Sequence, residues 1–444
     1  MKHKLRNILI LALGLLMAGC QDDDNHANTD GPAKKKESEK AACVMYIHTD
    51  GSKNITSKEY YLGCHITLDG KGNFDDYETE ADGCDSIRGR GNSTWSWYDK
   101  KPYKIKLGKK ASLCGMGKSK KYVLLANYRD PTRMMNAVTF DMARYLGMPY
   151  TNTNAFVEVY LNDEYIGLYQ LTEQIEQGKN RVNIDKEQGI LLSLDLDDGP
   201  SEDPESGRNF YSEIFDSDYS PRGSWSWNGS TWVYDESEGG LPVCIKYPEE
   251  LDDARIAEIK AEFTKLEKVI QAKNYTALKA MCDVESMMSF LFINEITMNV
   301  ELVTPRSMYL YRDADGIWTF GPVWDFDGGF SYNWNENDSR RAYFTSQSWL
   351  MGPSGSRNIP DFFDNMFGSA AFLKDYKALW NQKGEAMVDY ALNQMYARMD
   401  TLDDAMTRDF DRWPTVKDYN DQQQQLDTWL TERAELYTSY LKTW

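Results

Sequence analysis

Gly321-Pro322-Val323-Trp324-Asp325-Phe326-Asp327-Gly328-Gly329-Phe330 sets two carboxylates one residue apart between aromatic rings, with a glycine pair behind them. On an extended backbone alternate side chains share a face, so Asp325 and Asp327 point the same way. Two like charges so placed repel unless a cation lies between them. Hard oxygen donors suit hard cations, so the pair reads as a candidate site for Mg2+ or Mn2+. The competing reading is a strand end entering a turn, where aspartate is favoured for its local backbone chemistry. The choice depends on what the rest of the chain supplies.

Upstream, Ile87-Arg88-Gly89-Arg90-Gly91-Asn92-Ser93-Thr94-Trp95 combines glycines with small hydroxyl residues. Glycine lets a backbone approach a ligand closely, and successive N–H groups in such a loop make an anion nest. Arg88 and Arg90 add positive charge; the alternative is a plain glycine-containing hairpin. Lys100-Lys101-Pro102-Tyr103-Lys104-Ile105-Lys106-Leu107 follows as an alternating strand, with Lys104 and Lys106 on one face. A glycine loop leading into a basic strand is a common way to hold nucleotide phosphates. Gly117-Lys118-Ser119 looks like the end of a P-loop, but Ser112 stands where that motif needs its first glycine.

Short β-type runs fill Cys43–His48, Tyr60–Leu68 and the segment closing at Ile87, separated by turn signals. Tyr122–Ala126 reads as a buried strand. Helical spacing runs from Arg133 to Leu146 and stops at Gly147 and Pro149. Val157–Leu161 turns at Asn162-Asp163 into Tyr165–Tyr169, a hairpin continuing to Glu173. Glu173 and Glu176, three apart, would share a face on a helix. Residues 196–240 are rich in Asp, Ser, Gly and Trp and read as a long insertion. Helical patterns return over Glu249–Leu278 and Val284–Val300. A strand from Ser307 to Arg312 then returns as Trp318–Val323, delivering the two aspartates, and residues 360–444 are mostly amphipathic helix.

The net charge of −19 argues against nonspecific nucleic-acid binding and against a polybasic membrane patch. Of four histidines, only His48 and His65 lie beyond the first 26 residues, which leaves few parts for zinc-hydrolase or Ser-His-Asp chemistry. A glycosidase needs carboxylates spaced across a cleft, and a D-x-D pair on one strand is too close for most. Met1–Arg6 is basic, Ile8–Met17 is a short apolar run, and Met17-Ala18-Gly19-Cys20 ends in a cysteine after small residues. This is a secretory leader too short to span a membrane. It resembles a bacterial lipobox, with Cys20 acylated; the acidic Gln21-Asp22-Asp23-Asp24 resembles the surface-export signal of Bacteroidota lipoproteins. Six further cysteines permit disulfides in an exported chain but equally read as buried thiols.

Glycine loop, basic strand, acidic helix, polar residues after a helix, hairpin and metal-type aspartates follow the part order of a kinase-like phosphotransferase. The chain also resembles the CotH kinase family, the atypical kinases named for a spore-coat protein. The carrying residues are Arg88–Thr94, Lys100–Lys106, Leu125–Asp130, Val157–Glu173, Asn299–Tyr311 and Pro322–Asp327. The resemblance implies an α+β, distantly protein-kinase-like fold, β-rich first and helical last. It implies phosphoryl transfer to protein Ser/Thr that depends on ATP and on Mg2+ or Mn2+. Asp325 would bind metal with Asp327. Arg88, Gly89, Gly91 and Ser93 would cradle the nucleotide. Lys104, with Lys101 second, would contact phosphate, and Glu173 would be the carboxylate partner of that lysine. Asn299 and Ser307 would complete the nucleotide site. The family's N-x-D segment ends in a presumed catalytic aspartate; here the residue is Glu301. An asparagine expected before the Tyr-Leu-Tyr strand is Ser307. Glutamate keeps the charge but reaches one methylene further. The alternative is therefore a pseudokinase-like surface binding or scaffold module, with a glycan as ligand for Trp225, Trp227 and Trp232. The expected organisation is a lipoprotein leader over 1–20, a tether over 21–41 and a CotH-type domain over 42–444. Such a protein would sit on the outer membrane facing outwards, held only by its lipid, with a secreted or surface protein as substrate.

Overall fold

Alternating apolar and polar residues build the first eight strands. β1 is Cys43–Thr49, β2 Leu62–Asp69, β3 Tyr77–Glu78, β4 Asp85–Gly89, β5 Tyr103–Ala111, β6 Ser119–Leu125, β7 Asn154–Leu161 and β8 Glu164–Glu173. They form one sheet in the order β1-β7-β8-β6-β5-β4-β2-β3, and β1 also pairs with β2. That extra pairing closes seven strands into a barrel, with β3 attached beside β4 along the outer side of β2. Met45, Ile47, Ile66, Leu68, Ile105, Leu124, Val159 and Leu171 fill its interior. Closure removes the exposed edges that an open sheet must protect.

The computed structural model describes residues 42–444 except 82, 196–200, 203–208, 211–213, 222–223, 228–231, 236–239, 332–347 and 353–358. Between 201 and 239, side chains are described only for 215–217. The expected leader, Cys20 and tether therefore lie outside the described residues, as do the side chains of Trp225, Trp227 and Trp232.

Two helices interrupt the barrel strands: α1 (Ser93–Trp97) and α2 (Met135–Leu146). Asp130 starts α2 by accepting the Met135 N–H at 2.7 Å, and Gly147 ends it at φ 78°. The chain then enters a second sheet through β9 (Ile190–Leu194). The expected insertion holds short strands β10 (Ser201–Glu202), β11 (Asn209–Phe210), β12 (Ile214–Pro221), β13 (Ser224–Trp227) and β14 (Trp232–Asp235). With β15 (Gly240–Tyr247), β16 (Met308–Arg312) and β17 (Trp318–Phe320), the second sheet runs β12-β15-β9-β16-β17. Helices α3 (Asp253–Gln271), α4 (Tyr275–Lys279), α5 (Val284–Ile296), α6 (Asp361–Asp364), α7 (Ala370–Arg412) and α8 (Tyr419–Tyr440) complete the body. The architecture is α+β, β-rich first and helical last. Its larger core joins α2, the second sheet and the C-terminal helices.

Two local expectations are corrected. β17 stops at Phe320, short of the aspartates: the Gly321 N–H makes a last rung to the Tyr309 carbonyl at 2.8 Å, and Pro322, with no N–H, cannot extend the ladder. Glu173 and Glu176 do not share a helix: Glu173 ends β8, and no helix forms before β9. None of the six described cysteines is disulfide-bonded, and no helix among the described residues is long and apolar enough to cross a membrane.

Candidate functional site

Asp325 and Asp327 are presented by an irregular segment. Asp325 takes a left-handed backbone, φ 66°, a conformation that aspartate and asparagine tolerate better than most side chains. Trp324 and Phe326 are buried while Asp325 and Asp327 are accessible, so the two carboxylates still share a side. The Trp324 ring stacks on Phe140 of α2, and the Phe326 N–H donates to Asn136 Oδ1 at 2.9 Å. The Asp325 carboxyl is open to solvent yet surrounded by protein, as on the floor of a cleft. Burial pushes its pKa well above the ordinary carboxylate range, Asp327 and Glu301 push it further, and Arg90 opposes them.

Glu301 comes to the same place from the turn after α5. Fully buried Asn299 fixes that turn: its Oδ1 accepts the Glu301 N–H at 3.3 Å, and its Nδ2 donates to Asn294 Oδ1 at 3.0 Å. Asn299 thus braces the loop from within the core. Arg306 Nη1 lies 3.7 Å from Glu301 Oε2. Ser307, at φ 54°, donates its N–H to Asp195 at 3.2 Å and sets its Oγ 3.5 Å from Asp325 Oδ2.

The glycine loop supplies the opposite side. A Cβ on Gly89 would stand 2.4 Å from the Trp95 ring, and one on Gly91, at φ 81°, 2.3 Å from Thr94 Oγ1. These glycines let the loop fold tightly onto α1, which Ser93 opens. Arg90 lies over the Trp324 ring at 5.6 Å. Burial lowers its pKa, and Asp325, Tyr309 and Asp327 partly restore it. Arg88 and Lys104 are cross-strand partners on β4 and β5 whose side chains point out of the barrel, opposite to Ile87 and Ile105. Burial pulls the Lys104 ammonium down to about 7, with Arg88 and Lys121 adding to the shift and Glu176 opposing it. Lys104 makes no side-chain ion pair among the described residues.

Two expected placements do not form. Lys101 turns away, donating to the Trp95 carbonyl at 2.6 Å and so fastening α1. Glu173 cannot reach Lys104: the register pairs Lys104 with Val123 and Val123 with Thr172, whereas Glu173 sits opposite Tyr122. The two side chains therefore leave opposite faces of the sheet. Glu173 is buried with the Thr153 hydroxyl as its hydrogen-bond donor and Arg181 at 3.9 Å. On the Lys104 side stands Glu176, which pairs with Lys121 at 2.9 Å and acts on Lys104 only through its charge. Strand parity was the missed signal, since Leu171 faces inward and Glu173 must follow it. Nothing in the sequence pattern singled out Arg90 over Arg88.

The structure thus brings together Asp325, Asp327, Glu301, Ser307 and Arg90, with Arg88 and Lys104 alongside. Two carboxylates and a hydroxyl are hard oxygen donors and fit a hard divalent cation. They make a partial shell: among the described residues no group of three or more His, Cys, Asp or Glu is arranged to hold a metal by itself. A partial protein shell is what substrate phosphates normally complete for Mg2+.

The family model for CotH kinase protein matches residues 87–437. The chain belongs to the CotH kinase family. The match takes in every segment of the site, from the glycine loop to the aspartates, with all of α7 and most of α8. It begins inside β4, so the strand that closes the barrel, β1, comes from outside the CotH region. No curated protein matches the chain.

Proposed function

We propose that this CotH domain is an ATP-dependent protein kinase that uses Mg2+ or Mn2+ and acts on Ser/Thr of a secreted or surface protein. The observation that carries this reading is a pair of opposed faces. Arg88, Arg90 and Lys104 stand on one, Asp325, Asp327 and Glu301 on the other, and no salt bridge joins them among the described residues. A metal-bound polyphosphate fits both faces at once. Asp325 and Asp327, with Ser307 beside them, are the residues that would hold the metal, whose charge would neutralise the phosphate oxygens when bound. Lys104 and Arg90 draw the phosphates and fix their orientation. Glu301, braced by Asn299, accepts the proton of the attacking hydroxyl. Positioning and charge account for most of such a catalyst's work.

The leader supports a lipid-anchored, outward-facing location on the outer membrane through Cys20. A second reading, a non-catalytic binding or scaffold module, draws on Arg306, whose ion pair with Glu301 competes with proton acceptance.

Calorimetry with ATP and Mn2+ tests the first reading, comparing the protein with Asp325→Asn. Asparagine keeps the left-handed backbone and removes the charge, so binding should vanish while thermal stability holds. No binding at about 1 mM ATP, the upper end of ordinary substrate constants, would sink the nucleotide reading. Binding without transfer of labelled phosphate would favour the second.

A further inference from the structure

The Glu301 side chain lies across Gly328. A Cβ built on Gly328 would stand 2.9 Å from Glu301 Oε1, 3.4 Å from its Cγ and 3.6 Å from its Cδ. Gly328 is not among the residues with a left-handed backbone, so its conformation does not demand glycine. Space does. Glu301 is held elsewhere as well: Asn299 accepts its backbone N–H, and Arg306 Nη1 lies 3.7 Å from its other carboxylate oxygen, Oε2. An aspartate at this position would stop about one bond, ~1.5 Å, short and would not need the room.

We propose that Gly328 is a positioning residue for Glu301. Glutamate at 301 and glycine at 328 are a matched pair, and the pair sets where the proton-accepting carboxylate stands beside Asp325. The catalytic part of this inference rests on the phosphoryl-transfer reading above. The obstructing atom at Gly328 belongs to the far end of a side chain and not to the backbone, so alanine there displaces the carboxylate while sparing the backbone. Catalysis is sensitive to displacements of about 1 Å.

The test is a cycle of four full-length proteins: wild type, Gly328→Ala, Glu301→Asp and the double variant. Each is measured for Mn2+–ATP affinity and for transfer of labelled phosphate, and wild type and Gly328→Ala are crystallised. In the wild-type background Gly328→Ala should lower kcat roughly tenfold or more, with ATP affinity unchanged; in the Glu301→Asp background it should lower kcat less than about twofold. The crystal structures should show the Glu301 carboxylate displaced and the backbone at 328 in place. Equal losses in the two backgrounds, or an undisplaced carboxylate, would overturn the pairing. Failure of the kinase reading looks different, since wild type would then bind no nucleotide or transfer no phosphate. The crystal structures alone would then decide the pairing.

Discussion

Lys104 carries an ammonium where the fold disfavours one. Its pKa is held at about 7 against an ordinary 10.5, first by burial and then by Arg88 and Lys121. Between those two values the unfolded chain binds a proton that the folded chain does not. This group's contribution to stability therefore rises with pH from about 7 to 10.5. Ligand binding has the opposite sign. A polyphosphate favours the charged lysine, so it binds with uptake of a proton, and affinity falls as pH rises above about 7. At the limit of one proton taken up, the ATP dissociation constant grows about tenfold per pH unit. Titrations from pH 6 to 9 in Mn2+ should show this rise. Lys104→Met should weaken binding by roughly 10- to 100-fold, the value of a charged hydrogen bond, and should flatten the slope. A slope that survives in Lys104→Met would assign the proton to another group.

At the scale of elements, the segment 324–327 is set by helix α2 through a buried run of amides. Gln170 Oε1 accepts from Asn127 Nδ2 at 2.9 Å, Asn127 Oδ1 from Asn136 Nδ2 at 3.2 Å, and Asn136 Oδ1 from the Phe326 N–H at 2.9 Å. Asn136→Ala leaves that N–H buried without its acceptor, at a cost of about 1–3 kcal/mol. Because the N–H belongs to the residue between the two aspartates, part of the loss should appear as weaker Mn2+–ATP binding. Calorimetry beside thermal melts separates the two; a variant that melts lower but binds normally would confine Asn136 to the fold. The residue types of this relay were legible in the sequence, but their connection was not. Amide pairing between residues as far apart as 136 and 326 leaves no local period. What was legible depended on local signals: the alternation of β5 placed Lys104 outward, and the stop at Gly147 ended α2 correctly. The Lys104–Glu173 pairing does not form because strand parity, carried from β5 through β6 to β8, puts the two side chains on opposite faces. The closed barrel was also hidden, since only the β1–β2 register distinguishes it from an open sheet.

At the scale of the whole molecule, Asp409 of α7 ties the C-terminal helices to the barrel. Its Oδ1 accepts from Lys100 Nζ at 2.7 Å and from the Leu168 N–H at 2.8 Å, and its Oδ2 from Arg133 Nε at 2.9 Å. All three charged side chains are at most 1% exposed. Burial lowers the Lys100 pKa to about 8 despite its partner. Burial would raise Asp409, yet Lys100 and Arg133 together hold its carboxyl below the ordinary range. The asymmetry is physical: the carboxylate has two cations upon it, while the ammonium shares one carboxylate with a guanidinium. A buried pair adds little against an apolar substitute, but breaking one strands its partners. Asp409→Asn would leave Lys100 and Arg133 facing a neutral amide and should cost roughly 3–5 kcal/mol. The Arg412–Glu164 pair, which joins α7 to β8 with both side chains well exposed, is the control. Arg412→Ala should cost at most about 1 kcal/mol, as exposed pairs do. The Asp409 contribution is present above the ordinary carboxylate pKa and is lost as pH falls through the lower folded value. Urea unfolding of the three proteins at pH 7, repeated on wild type towards pH 3, measures both effects. Equal midpoints for Asp409→Asn and Arg412→Ala would show that the buried network does not hold α7 to the barrel.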